Sequence, residues 1–269
     1  MAGVILAVLD DPASAKALLR AAQRLAGLSG ATRINALLVR TPPEALISPS
    51  EEVLTAQREA ALRDAEADRA AAVRTVFDGW AGSLPAGVGA DWIDVDGMAE
   101  LVVEERGRRA DWLVIQPPAR RDYGTRWHAL RAALFATDRP VLVVPAQSSA
   151  DFGRGVAIAW RDDQRAAKAV LSALHCLTRA VSVFVLTGGR NAASAPPAIL
   201  AEHGVAATLH TLPSGAGAVG AALLARAHEL GADMLVMGAY QHSALHELLL
   251  GGVTRHMLTH ADLPVLMRH

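Results

Sequence analysis

Short, uninterrupted apolar runs recur along this chain, each closed by polar or turn-forming residues and followed by a stretch with helical spacing. Val4-Ile5-Leu6-Ala7-Val8-Leu9 ends at Asp10-Asp11-Pro12, and a helix is expected from about Ala13 to Leu28. Val156-Ala157-Ile158-Ala159-Trp160 ends at Asp162-Asp163, with a helix expected from about Arg165. Apolar runs of this length without alternation fit strands buried on both faces, as in a parallel sheet covered by helices. On that reading the first half has strands near Val4–Leu9, Arg33–Val39, Asp91–Val95, Trp112–Ile115 and Val141–Val144. The second half has them near Val156–Trp160, Val181–Leu186, Thr208–Leu212, Met234–Met237 and Val265–Met267. Alternating strands and helices with right-handed crossovers predict an α/β protein built on doubly wound parallel sheets.

The two series repeat one another. Lys16 and Lys168, the only lysines in the chain, lie in matching Ala-Lys-Ala contexts 152 positions apart. Ala110-Asp111-Trp112-Leu113-Val114-Ile115 matches Ala232-Asp233-Met234-Leu235-Val236-Met237 at an offset of 122. A repeat this long means two copies of one α/β domain, expected at 1–146 and 153–269, with a polar linker at Gln147-Ser148-Ser149-Ala150-Asp151. The offset falls by 30, so the first copy carries extra residues in its middle. The charged, alanine-rich stretch from Ser50 to about Trp80 accounts for them as a long extra helix, 50–83, with one solvated face.

Composition narrows the function. The net charge of −1 removes the main electrostatic argument for nucleic acid. Hydrophobic residues make up 52% of the chain, enough for a substantial core, yet no run approaches the length of a membrane span. No secretory leader is visible, so a cytoplasmic protein is expected. The single cysteine, Cys176, excludes a disulfide within the chain and reads as a small buried hydrophobe.

The most informative stretch follows the apolar run Met234–Met237. Gly238-Ala239-Tyr240-Gln241 is separated by nine residues from Gly251-Gly252-Val253-Thr254, where another helix begins. Glycines let backbone approach an anion closely, and the free N–H groups of a helix start attract it. This block resembles the nucleotide loop of the universal stress protein family, whose pattern is Gly, two residues, Gly, nine residues, Gly, then Ser or Thr. The resemblance extends over essentially the whole chain in the tandem, two-domain form.

That resemblance implies two five-stranded, Rossmann-like domains of the adenine nucleotide alpha hydrolase-like type, related by a pseudo-two-fold. Strands 141–144 and 265–267 would pair as an internal pseudo-dimer, leaving a further homodimer open. It also implies ATP or AMP in the second copy, with Mg²⁺ only if ATP binds. Ala159, Trp160 and Arg161 would line one side, Leu186 would flank the base, and Gly238, Gln241, Gly251, Gly252, Val253 and Thr254 would form the phosphate loop. Three residues depart from the family pattern. Arg161 replaces an Asp or Asn, Gln241 a glycine, and Gly252 a hydroxyl residue, with Thr254 offering a hydroxyl nearby.

The matching loop of the first copy is Gln116-Pro117-Pro118-Ala119-Arg120-Arg121-Asp122-Tyr123-Gly124. Prolines remove donors there, so nucleotide is not expected; Arg120, Arg121 and Arg126 are read as loop residues. The i,i+4 pairs His242/His246 and His256/His260 have no carboxylate or cysteine cluster beside them, so no metal site is assigned. Elbow, Walker and kinase signatures are missing, and no catalytic residue is named. The expected role is stress response by binding. The rivals are an interaction module that binds no nucleotide and a slow ATPase using Asp162 or Asp163.

Overall fold

A computed structural model describes residues 3–45, 55–118, 124–188, 193–213, 219–240 and 252–269. The first half runs β1 (Gly3–Leu9), α1 (Pro12–Ser29), β2 (Ala31–Arg40), α2 (Ala56–Ala81), β3 (Gly89–Asp96), α3 (Ala99–Gly107), β4 (Trp112–Ile115), α4 (Thr125–Phe135) and β5 (Val141–Val143). The second half repeats it with β6 (Gly155–Ala159), α5 (Gln164–Leu177), β7 (Ser182–Thr187), α6 (Ala198–Glu202) and β8 (Thr208–Thr211). It is completed by α7 (Val219–Glu229), β9 (Met234–Gly238), α8 (Gly252–His260) and β10 (Val265–Arg268).

The strands form one ten-stranded sheet in the order β3-β2-β1-β4-β5-β10-β9-β6-β7-β8. Within each half all neighbours are parallel, and strand order reverses beside β1 and β6, leaving a crevice next to β4 and β9 respectively. The halves meet where β10 runs antiparallel to β5, with Val265 opposite Val143, Leu266 opposite Leu142 and Met267 opposite Val141. An apolar edge strand would otherwise leave a row of unpaired backbone groups.

The strands alternate between two cores. Ile5, Ala7 and Leu9 pack with α1, α2 and α5 on one face, while Leu6 and Val8 pack with α3 and α4 on the other. Local signals place the first helix of each half. Asp11 caps α1 by accepting the Ala13 amide at 2.9 Å, with Pro12 at the first position and Gly30 closing the helix at φ 79°. Asp163 caps α5 in the same way, accepting from the Arg165 and Ala166 amides.

The extra length of the first half lies in an ordinary crossover helix. α2 connects β2 to β3, and its counterpart α6 is a stub of five residues. One face of α2 is solvated, as expected, and the other is buried: Ala70, Val73, Phe77 and Trp80 face the core, and the Trp80 indole donates to Gln23 at 3.0 Å. It begins at Ala56, capped by Thr55, and residues 50–54 lie outside the described segments.

Phe152, just beyond the polar linker, is fully buried in the core shared by α1 and α5. The Arg24 guanidinium donates to its carbonyl at 2.7 Å, and Arg179 of the second half donates to the Leu28 carbonyl of the first. At the seam Arg268 pairs with Asp138 at 2.9 Å. Cys176 is buried, and burial pushes its thiol up to about 12, the behaviour of an inert core residue.

Candidate functional site

The carboxyl ends of β6 and β9 and the start of α8 surround an open cavity of about 800 Å³. Ligands of doubly wound sheets bind in such a crevice, where strand order reverses. Ala159, Trp160, Arg161 and Leu186 lie on its wall, as do Gly238, Gly252, Val253 and Thr254. Eight of the ten residues named from the sequence therefore come together. The other two, Gln241 and Gly251, lie outside the described residues, as do His242 and His246.

A cluster that the sequence did not suggest sits at the mouth of this crevice. The Tyr240 hydroxyl donates to the Asp163 carboxylate at 2.8 Å, and its ring lies under the Arg161 guanidinium at 4.2 Å. Arg161 Nε donates to the other Asp163 oxygen at 2.5 Å, while the amides of Arg165 and Ala166 fill the first at 3.0 Å. Burial raises the Asp163 carboxyl, but the Ala166 amide and the Arg161 and Tyr240 bonds outweigh it and hold the group below its usual range. Burial and the bond to Asp163 push the Tyr240 phenol up, so it stays a donor. Gly238 shows why this packing needs glycine: a Cβ there would stand 2.9 Å from the Tyr240 hydroxyl oxygen and 3.0 Å from Arg165 Cβ.

Thr254 does not present its hydroxyl to the cavity. The side chain is fully buried, and its Oγ1 accepts the Tyr240 amide at 3.1 Å, fastening the end of β9 to α8. Gly252 is exposed and Val253 partly so, leaving the first backbone amides of α8 at the cavity wall. Further along, Arg255, His256 and His260 line the crevice with Leu212 and Leu223. The two imidazoles stack at 4.3 Å, and burial together with His260 lowers the His256 pKa. Among the described residues no group of three histidines, cysteines or carboxylates could hold a metal. Nor does any described lining residue carry a carboxylate, so this wall does not fit the Mg²⁺ expected with ATP.

The matching place in the first half is nearly filled, with a cavity of about 40 Å³. Arg126 forms ion pairs with Asp10 and Asp11 across it, so this arginine is committed rather than a free loop cation. Arg120 and Arg121 lie outside the described residues. Arg69 of α2 ties the ends of β1 and β2 together, donating to the Asp10 carbonyl at 2.5 Å, the Val39 carbonyl at 2.9 Å and Glu66 at 2.6 Å. Its side chain is only 21% exposed. Arg69→Ala is expected to lower the unfolding free energy by about 1–3 kcal/mol by leaving the two carbonyls without this donor, which urea denaturation would measure. A stability equal to wild type would show that water replaces it.

Two doubly wound α/β units joined edge to edge, the first with its crevice closed and the second with its crevice open, define the class of protein. Residues 139–269, just under half of the chain, match the sequence model of the universal stress protein family. A universal stress protein from Archaeoglobus fulgidus DSM 4304 shares the architecture with a TM-score of 0.70 at 12% identity, covering 98% of this chain and 95% of that one. A functionally unknown protein from Pseudomonas aeruginosa PAO1 follows at a TM-score of 0.60 and 17% identity, covering 98% and 92%. At such identities these likenesses concern the fold. No curated protein sequence matches significantly. Among the described residues no helix is long and apolar enough to cross a membrane.

Proposed function

We propose that this protein acts in stress response by binding an adenine nucleotide, ATP or AMP, in the crevice of its C-terminal half. The observation that carries the reading is the open cavity of about 800 Å³ at the end of β6 and β9, walled by the exposed start of α8. Trp160, Leu186 and Leu212 supply apolar surface for a base, and the amides of Gly252 and Val253 supply donors for a phosphate. Gly252 offers no hydroxyl, which removes one hydrogen bond to a charged group and weakens binding by roughly tenfold to a hundredfold. The first half serves as a closed structural partner of the second. The reading makes the protein a cytoplasmic binder rather than an enzyme. Asp163, committed to Tyr240, Arg161 and two amides, is poorly suited to take a proton from water.

Thermal denaturation with and without nucleotide tests this. Nucleotide at about a hundred times its dissociation constant adds about 2.7 kcal/mol to stability, raising Tm by about 5–10 °C for a chain of this size. An unchanged Tm at millimolar ATP and AMP refutes the nucleotide reading and favours a module that works through protein contacts.

A further inference from the structure

The chargeable groups on the described wall of the C-terminal crevice are Arg161, Arg255, His256 and His260, together with the Tyr240 phenol. Arg161 and Arg255 are the standing charges on it, and no described lining residue carries a carboxylate to offset them. Of the two carboxylates on the turn between β6 and α5, Asp162 is not on the described wall and Asp163 is turned to other work. One oxygen accepts the amides of Arg165 and Ala166, the other accepts Arg161 Nε, and the Tyr240 hydroxyl reaches both, at 2.8 and 2.9 Å. Mg²⁺ bound with a nucleotide usually leans on one or two carboxylates besides the phosphates. Asp163 could serve only by giving up bonds that hold Tyr240, Arg161 and the start of α5.

Arg161 itself is placed to do a cation's work. Its Nε is fixed by Asp163 and its plane by the Tyr240 ring, while the side chain remains 67% exposed on the cavity wall. A guanidinium held flat in this way keeps further N–H donors for a phosphate and has lost little freedom left to lose on binding. We propose that the crevice takes its polyphosphate ligand as the metal-free anion, with Arg161 supplying the positive charge that a divalent cation would otherwise bring. The proposal rests on the reading of this crevice as a nucleotide site. Mg²⁺ in solution cancels part of the anion's charge and so competes with the arginine instead of assisting it.

Isothermal titration of the full chain with ATP, and separately with inorganic tripolyphosphate, each in EDTA and in excess Mg²⁺, tests the idea. Both anions are expected to bind in EDTA, and excess Mg²⁺ is expected to weaken each severalfold. Arg161→Gln should lose roughly tenfold to a hundredfold of the affinity in EDTA, and Arg161→Lys should recover part of it. The melting temperatures of both variants establish that they are folded. Tighter wild-type binding in Mg²⁺, or unchanged binding by Arg161→Gln, overturns the proposal and leaves the nucleotide reading standing. Metal-independent binding of tripolyphosphate without ATP keeps the proposal and removes the adenine. Failure of both anions in both buffers overturns both.

Discussion

Phe152→Ala is expected to lower the unfolding free energy by about 3–5 kcal/mol, a fall in Tm of about 6–20 °C for a chain of this size. The ring is completely buried, in a core cluster that draws on α1 of the first half and α5 of the second. Truncating it removes the transfer energy of the ring and leaves a void lined from both sides of the seam. Because the halves also share the β5–β10 ladder and the Arg268–Asp138 pair, the loss should appear in one cooperative transition. Calorimetry decides it. A first transition displaced to lower temperature, followed by a second near the wild-type temperature, would show that each half is stable alone and that Phe152 serves only one of them.

Asp163→Ala is expected to cost about 2 kcal/mol, most of it from the lost cap on α5. The ion pair with Arg161 contributes little to that figure, because the arginine is 67% exposed and solvent screens it. The substitution also disturbs the site. Tyr240 and Arg161 both lose the group that orients them, so nucleotide affinity should fall by roughly tenfold or more, as expected when a charge-assisted bond is lost. The stability deficit also depends on pH. The folded carboxyl is held below its usual range, first against burial, by the Ala166 amide and the Arg161 and Tyr240 bonds. Its contribution is therefore present above the ordinary carboxylate value of about 3.9 and is lost as pH falls through the lowered folded value. Urea unfolding of wild type and Asp163→Ala at pH 7 and at about pH 3 should show the gap narrowing in acid. A gap of constant size would assign the whole effect to packing.

Much of the fold is legible in the residues because its signals are local. Continuous apolar runs mark strands buried on both faces, and they agree with the observed strands to within a few residues. Asp11-Pro12 and Asp163 announce helix starts. The helix α2 is a partial exception. Its charges suggest solvation, while Ala70, Val73, Phe77 and Trp80, spaced three and four apart, carry the buried stripe that fixes it on α1. That stripe was there to be seen among the alanines. Arg69, from the same helix, reads as one more surface charge, and only the chain's return past β1 brings it to Asp10 and Val39.

The candidate site divides in the same way. Glycine spacing around residues 238–252 and the end of β6 locate the crevice, since topology carries both to one end of the sheet. Tyr240, Asp163 and Arg161 form a unit only because β6 and β9 are neighbours. Asp163 and Tyr240 lie 77 residues apart, and no periodicity links them. The burial of Thr254 likewise depends on what packs over it, which a hydroxyl in a glycine-rich stretch does not disclose.

The order of residues by itself thus determined the duplicated α/β architecture, the strands, the helix starts and the end of the sheet where the open crevice lies. Each of these rests on periodicity or on contacts within a few residues. Only the tertiary structure decided that one crevice is reduced to a small cavity lined by Arg126 and Asp10, that the other stays open, and that Asp163 is occupied by Tyr240 and Arg161. Those outcomes turn on which distant side chains compete for the same few ångströms, and competition for space is settled only when the whole chain has packed.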